Sequence, residues 1–201
     1  MRRSAYEAEI HDGLMYPGPE PRVPRNLLNI EDREELEQAE AAFVAVQIET
    51  LPAKAMELSY AGYKAIHRHL FSPLYEWAGQ ERTYTTGRNP GVPFATPENI
   101  AGWMEKQFKL LKEKNYLREL NEDQFASAAA AIINEINAAH PFIEGNGRVQ
   151  RLFLQILAEQ AGFDLSLDGA DKDEWNEASK QGFLSSNDMM TSLIRRKISR
   201  L

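Results

Sequence analysis

His140-Pro-Phe-Ile-Glu-Gly-Asn-Gly-Arg-Val-Gln-Arg151 is a glycine-rich polar stretch set between two apolar helical patterns. Upstream, Asn121 with Gln124 three residues on reads as a capping box. Phe125, Ala129, Ile132, Ile133 and Ile136 then line one face of a helix that ends near His140. Downstream of a loop over Pro141 to Gly147, the residues Val149, Leu152, Phe153, Ile156, Leu157 and Ala161 describe a second apolar face, closed by Gly162. Two core helices flanking one polar loop set the frame of the fold.

The loop runs into a helix N-terminus, where backbone N–H groups lack intrahelical partners and favour anions. Gly145, Asn146 and Gly147 permit the positive backbone angles of an anion-binding nest. Arg148 and Arg151 are expected in the first turn, where each like charge opposes the helix dipole by roughly 0.3 to 1 kcal/mol. That placement makes sense if an anion fills the site, and the planar guanidinium fork suits phosphate oxygens. Glu144, the one acid in the loop, suits a Mg2+ ion that takes one or two carboxylates and shares a polyphosphate. His140, ordinarily neutral near physiological pH, can accept a proton from an incoming hydroxyl. Singly, each feature has a plainer reading: a helix-end histidine is a common C-cap and Gly-Asn-Gly a common turn. Jointly they fix nine residue types in twelve positions, which chance produces on the order of once in 10^11 windows. The combination is therefore read as a site.

Working outward, Thr96-Pro97-Glu98 gives an N-cap and a first-turn proline for a helix through about Lys114. Before it, Thr83, Tyr84, Thr85 and Thr86 favour extended backbone and Gly87 to Gly91 is a turn cluster, so a short hairpin is expected over Arg82 to Phe94. Tyr60 to Phe71 is helical, with Tyr63, Ile66 and Leu70 in register, and Tyr75, Trp77 and Gly79 end it. His67 and His69 within it point to different faces and do not suit a shared metal. From Ile30 to about Glu49, Leu36, Ala39, Phe43 and Val46 mark an amphipathic helix. Residues 1–29 hold four closely spaced prolines from Pro17 to Pro24 and read as an extended arm over the surface, leaving 30–201 as the folded domain. Asp171 to Lys180 and Asn187 to Ser199 complete the chain as shorter helices, and the run Arg195-Arg196-Lys197 reads as cations matched to a helix C-terminus. The expected fold class is all-α with one hairpin.

The 201 residues carry a net charge of -7 and no cysteine. That charge argues against binding nucleic acid or anionic membrane through a broad basic surface. Disulfides, thiolate nucleophiles and Cys-ligated zinc are excluded. No run of 18 apolar residues and no apolar signal segment occur, so a cytoplasmic location is expected.

The stretch from His140 to Arg151 resembles the signature of Fic proteins, His-Pro-Phe-x-(Asp/Glu)-Gly-Asn-Gly-Arg-x-x-Arg, at every specified position. Leu70-Phe71, Tyr75 and Trp77-Ala78-Gly79 are similar to the family's stretch ahead of its hairpin, and the tail from Trp175 is similar to compact Fic toxins. The resemblance implies a Fic-type helical bundle with one short β-hairpin flap. It implies an enzyme that transfers AMP from ATP to a Ser, Thr or Tyr hydroxyl of target proteins, as a toxin or secreted effector. His140 is then the base, Phe142 a core anchor and Glu144 the Mg2+ ligand, while Gly145, Asn146, Gly147, Arg148 and Arg151 hold phosphates, with Arg148 also acting in catalysis. Asn176 is implied beside the adenine. The flap, with Thr83, Tyr84, Thr85, Thr86 and Phe94, is implied to align a target segment by strand addition.

Many members of the family carry an inhibitory Ser/Thr-x-x-x-Glu helix. Only Ser72 has a glutamate four residues on, Glu76, inside the stretch already matched to the region before the hairpin. The resemblance therefore implies that a small antitoxin supplies the inhibitory glutamate. Two rivals stand beside AMP transfer. One is transfer of another phosphate-containing group, against which Gly147 argues because the kinase-like branch replaces it with a bulkier residue. The other is an inactive nucleotide-binding module, against which the intact His140, Glu144, Arg148 and Arg151 argue.

Overall fold

The computed structural model describes residues 11–19, 22–89, 92–167 and 172–201. The described chain is helical: α1 is Arg33–Ile48, α2 Tyr60–Phe71, α3 Pro97–Glu113, α4 Glu122–Ala139, α5 Asn146–Gln160, α6 Lys172–Leu184 and α7 Asp188–Lys197. Short strands β1 Gly87–Asn89 and β2 Val92–Pro93 pair antiparallel, as do β3 Phe163–Leu165 and β4 Ile198–Arg200. The chain packs as two compact units. One holds the described residues of Met1–Glu57, Ala61–Asn99 and Pro141–Gly145; the other holds Leu58–Tyr60, Ile100–His140 and the described residues of Asn146–Leu201.

The second unit is organised by α4, which packs against α5, α6 and α7. Its capping box is present as expected: the Asn121 side chain accepts from Gln124 N–H, and the Gln124 side chain accepts from Asn121 N–H. Small buried alanines at 126, 129 and 130 let neighbouring helices approach closely, and Phe125, Ile133 and Ile136 fill the remaining volume. On α5 the expected residues Val149, Leu152, Phe153, Ile156 and Leu157 are all buried. Gly162, with φ +91, ends that helix turn and leads into β3.

The β3–β4 pairing was not expected, and α7 stops at Lys197 rather than Ser199. Ile198 turns extended and buries its side chain, and residues 198–200 pair with 163–165 in register Leu165↔Ile198 and Phe163↔Arg200. The basic run at the end of α7 is ion-paired: Arg195 meets Asp123 and Arg196 meets Glu174. The run lies in the last helical turn as read from the sequence, and two of its cations also hold carboxylates of other elements.

The first unit is built on an aromatic stack. Phe142 lies between Tyr63, at a 5.7 Å centroid distance, and His67, at 3.8 Å; Phe71, Tyr75 and Trp77 continue the series. Burial raises the Tyr63 hydroxyl pKa, so the group stays neutral. In α1 the buried stripe is Leu36, Glu40 and Val44, not Leu36, Ala39, Phe43 and Val46, and Val46 is 64% exposed. The stripe is rotated because the Glu40 carboxylate turns inward to accept the Tyr75 hydroxyl. The helix starts at Arg33, where Asp32 accepts from the Glu35 N–H, rather than at Ile30.

In the proline-rich N-terminal segment, residues 11–14 form a helical turn and the chain doubles back, with Met15 bridged antiparallel to Pro24 and the Tyr16 N–H donating to Val23 O. The extended run before the flap is also shorter than the sequence suggests. Only Thr86 joins the hairpin, its carbonyl accepting from the Phe94 N–H; Thr83 to Thr85 form no ladder, because a strand propensity needs an opposed partner and the Tyr84 carbonyl is taken by the Arg82 guanidinium.

Candidate active site

His140 caps α4 in the left-handed conformation, φ 44° and ψ 63°, with its N–H donating to Ile136 O. Glycine or asparagine ordinarily takes that position, and a non-glycine residue there costs roughly 1 to 3 kcal/mol. Such strain gathers at functional positions, which marks His140 as a candidate site residue.

Pro141–Gly145 belong to the first unit. Phe142 is fully buried in the aromatic stack. The Glu144 carbonyl accepts from Nε2 of His67 at 3.0 Å, and Nδ1 of His67 accepts from the Gly79 N–H at 2.8 Å. Two opposite demands on one ring fix its tautomer, with the proton on Nε2. A fully buried neutral histidine thus ties the loop to the Trp77-Ala78-Gly79 turn. Sequence reasoning placed His67 on a helix face but missed this duty, whose partner lies 77 residues away. His69 faces elsewhere, toward Gln47 O and Thr50.

Gly145 is required twice over: its φ is +79, and a Cβ there would lie 2.5 Å from the Phe71 ring. Glu144 is half-buried and its carboxylate accepts from the Gly145 N–H at 3.1 Å. Among the described residues no group of three or more His, Asp or Glu is placed to hold a metal by itself. A single carboxylate beside a glycine turn and a helix N-terminus fits Mg2+, which takes few protein oxygens and shares substrate phosphates.

Helix α5 starts at Asn146, so Asn146 and Gly147 are helical and only Gly145 has the positive φ expected of a nest. The feature that could receive an anion is therefore the helix terminus rather than a three-residue nest. Arg148 sits in the first turn, whereas Arg151 is in the second, corrected from the first. Its guanidinium lies over the Trp175 ring at 5.9 Å and faces Gly147, where an added Cβ would be 3.6 Å from an arginine nitrogen. Asn146 is buried, while Asn176 is exposed on α6.

The flap splits into strand and stem. Tyr84 and Phe94 are buried, Tyr84 with its ring edge against His11 at 5.2 Å, and the Phe94 N–H donates to Thr86 O. These side chains anchor the hairpin's base. Ser72 and Glu76 lie in the turns that follow α2. No helix among the described residues is long and apolar enough to cross a membrane.

The model of the Fic/DOC family matches residues 57–158. A probable protein adenylyltransferase y4lH of Sinorhizobium fredii is 37% identical over 191 residues, 94% of this chain and 97% of that protein. The protein adenylyltransferase VbhT of Bartonella schoenbuchensis is 33% identical over 92% of this chain, which spans 39% of its length. Among solved structures, the effector BepC of Bartonella tribocorum, determined with bound AMPPNP, has a TM-score of 0.82 at 24% identity, covering 94% of this chain and 97% of that one. That last likeness concerns the fold.

Proposed function

The chain belongs to the Fic/DOC family, and from that premise we propose that residues 140–151 are the active site of a protein adenylyltransferase that moves AMP from ATP to a Ser, Thr or Tyr hydroxyl of another protein. The enzyme class follows from relatives so named, 31 to 37% identical over most of the chain. The observation that carries the site assignment is a complete motif whose glycine kink at 145 opens α5 at Asn146, with Arg148 in its first turn.

In this reading His140 accepts the proton as the target hydroxyl oxygen bonds to the α-phosphorus and the bond to pyrophosphate breaks. Arg148 stabilises charge on the departing pyrophosphate, and Arg151 with the Gly145, Asn146 and Gly147 main chain holds the remaining phosphate oxygens. Asn176 borders the adenine. Glu144 would hold Mg2+, which when bound neutralises charge on the polyphosphate. The flap edge receives the target as an added strand, with Thr83, Thr85 and Thr86 nearest the incoming chain and Tyr84 and Phe94 anchoring its base. A separate small protein restrains the enzyme by supplying a glutamate to Arg151, a charge-assisted pair across an interface. The enzyme works in a cytosol, its own cell's or a host's.

Incubation with Mg2+, cell lysate and ATP labelled at the α-phosphate tests the reading: labelled protein is expected, with none from γ-labelled ATP. Transfer of the γ-label would mark a kinase-like enzyme, and no labelled band from either would leave a nucleotide-binding module.

A further inference from the structure

The stem of the flap and the motif loop are joined through one residue. Arg82 is 2% exposed, and its guanidinium fork donates to Tyr84 O at 2.8 Å and to Ala95 O, the two carbonyls that bracket β1 and β2. The main-chain N–H of the same residue donates to Pro141 O at 2.8 Å, one residue before the buried ring of Phe142. A further fixed point of the loop is Glu144 O, held by His67.

Burying a guanidinium carries a desolvation penalty, and that burial lowers the Arg82 pKa to about 10 against a raising influence from Tyr84. The side chain remains cationic at neutral pH. An apolar residue would fill the volume without that penalty, so the arginine is explained by what only it does. Its planar fork, with donors in fixed directions, sets the spacing of two carbonyls eleven residues apart.

We propose that Arg82 is a positioning residue for the protein target: it fixes the flap relative to the loop that carries Glu144, and so the place where an added target strand presents its hydroxyl. The functional consequence rests on the adenylyltransferase reading above. Nucleotide binding does not depend on the flap in this scheme, whereas attack does, because misplacing a reacting group by about 1 Å costs on the order of 10^2 in rate.

Arg82→Gln can satisfy one carbonyl and Arg82→Lys offers a compact charge without the fork. For both variants, hydrogen exchange of peptides spanning 84–95 is compared with exchange of α4, and label transfer from α-labelled ATP is titrated separately against ATP and against lysate protein. The expected result is flap exchange faster by about tenfold or more with α4 unchanged. Half-saturating ATP stays within about twofold, and transfer at limiting lysate falls by about 10^2 for Gln and less for Lys. Unchanged flap exchange in the variants overturns the proposal. So does a parallel loss in both titrations that tracks a lower melting temperature, which would make Arg82 a general stabiliser. If the wild-type chain labels no protein, the transfer reading fails, while the exchange measurement still judges the clamp.

Discussion

Pro141–Gly145 and Asn146–Arg151 are consecutive stretches of one motif, yet their glycines stand in opposite surroundings. At Gly145 a methyl group would meet the Phe71 ring at 2.5 Å on a backbone of φ +79, while at Gly147 it would find an arginine nitrogen at 3.6 Å, an ordinary contact. The first stretch is held by packing: Phe142 between Tyr63 and His67, and the Glu144 carbonyl on His67. The second is the start of α5, with Arg148 in its first turn and a guanidinium nitrogen of Arg151 near Gly147. A motif that reads as one string is thus half fold requirement, while the proposed function makes its other half a ligand requirement, and substitution should separate the two.

The sharpest break is Gly145→Ala. Strain at a positive φ and overlap with Phe71 together should remove about 2 to 5 kcal/mol of stability, read as a lower urea midpoint. An unchanged midpoint would show that the loop has slack and that the comparison is mistaken. Next, Arg148→Ala should leave that midpoint nearly unmoved while transfer falls by about 10^2 to 10^3. Glu144→Ala should lose rate together with its Mg2+ dependence, and a wild-type rate with the same dependence would remove either residue from its assigned role. The smallest effect on folding is Gly147→Ala, where replacing glycine in a helix should gain up to about 1 kcal/mol. Transfer should nonetheless fall, by about 10- to 200-fold for a methyl's worth of lost space. Full activity in that variant would mean that the space over Gly147 is not reserved for phosphate.

Which parts of this were legible in the sequence follows from how local the cause is. The capping box at Asn121 and Gln124, the Pro97 start of α3, the span of α2 and the turn at Gly162 rest on neighbours within four residues, and all are present. The Glu40 stripe in α1 was not legible, since an apolar pattern has no means of announcing that a carboxylate will be drawn inward by Tyr75. Neither was the β3–β4 pair, three residues on each side joined across more than thirty positions. At the candidate site, His140, Glu144, Arg148 and Arg151 are proposed from the motif alone, and Gly-Asn-Gly suggested a longer loop than exists. Asn146 and Gly147 are recruited into α5 because its start is fixed by the kink at Gly145. The supports of the site, His67 and Arg82, were the least legible, for each acts through main-chain carbonyls distant in sequence.

The central claim, that residues 140–151 attach AMP to protein hydroxyls, is tested most directly by mass spectrometry of lysate proteins after reaction with ATP and Mg2+, using the wild-type chain and His140→Ala in parallel. The account predicts peptides carrying AMP on Ser, Thr or Tyr with the wild type. With His140→Ala it predicts a loss of about 10^2 to 10^4 in their rate of formation while ATP binding is retained. Wild-type reactions without any AMP-bearing peptide, or a His140→Ala chain that keeps more than about a tenth of the wild-type rate, would contradict it.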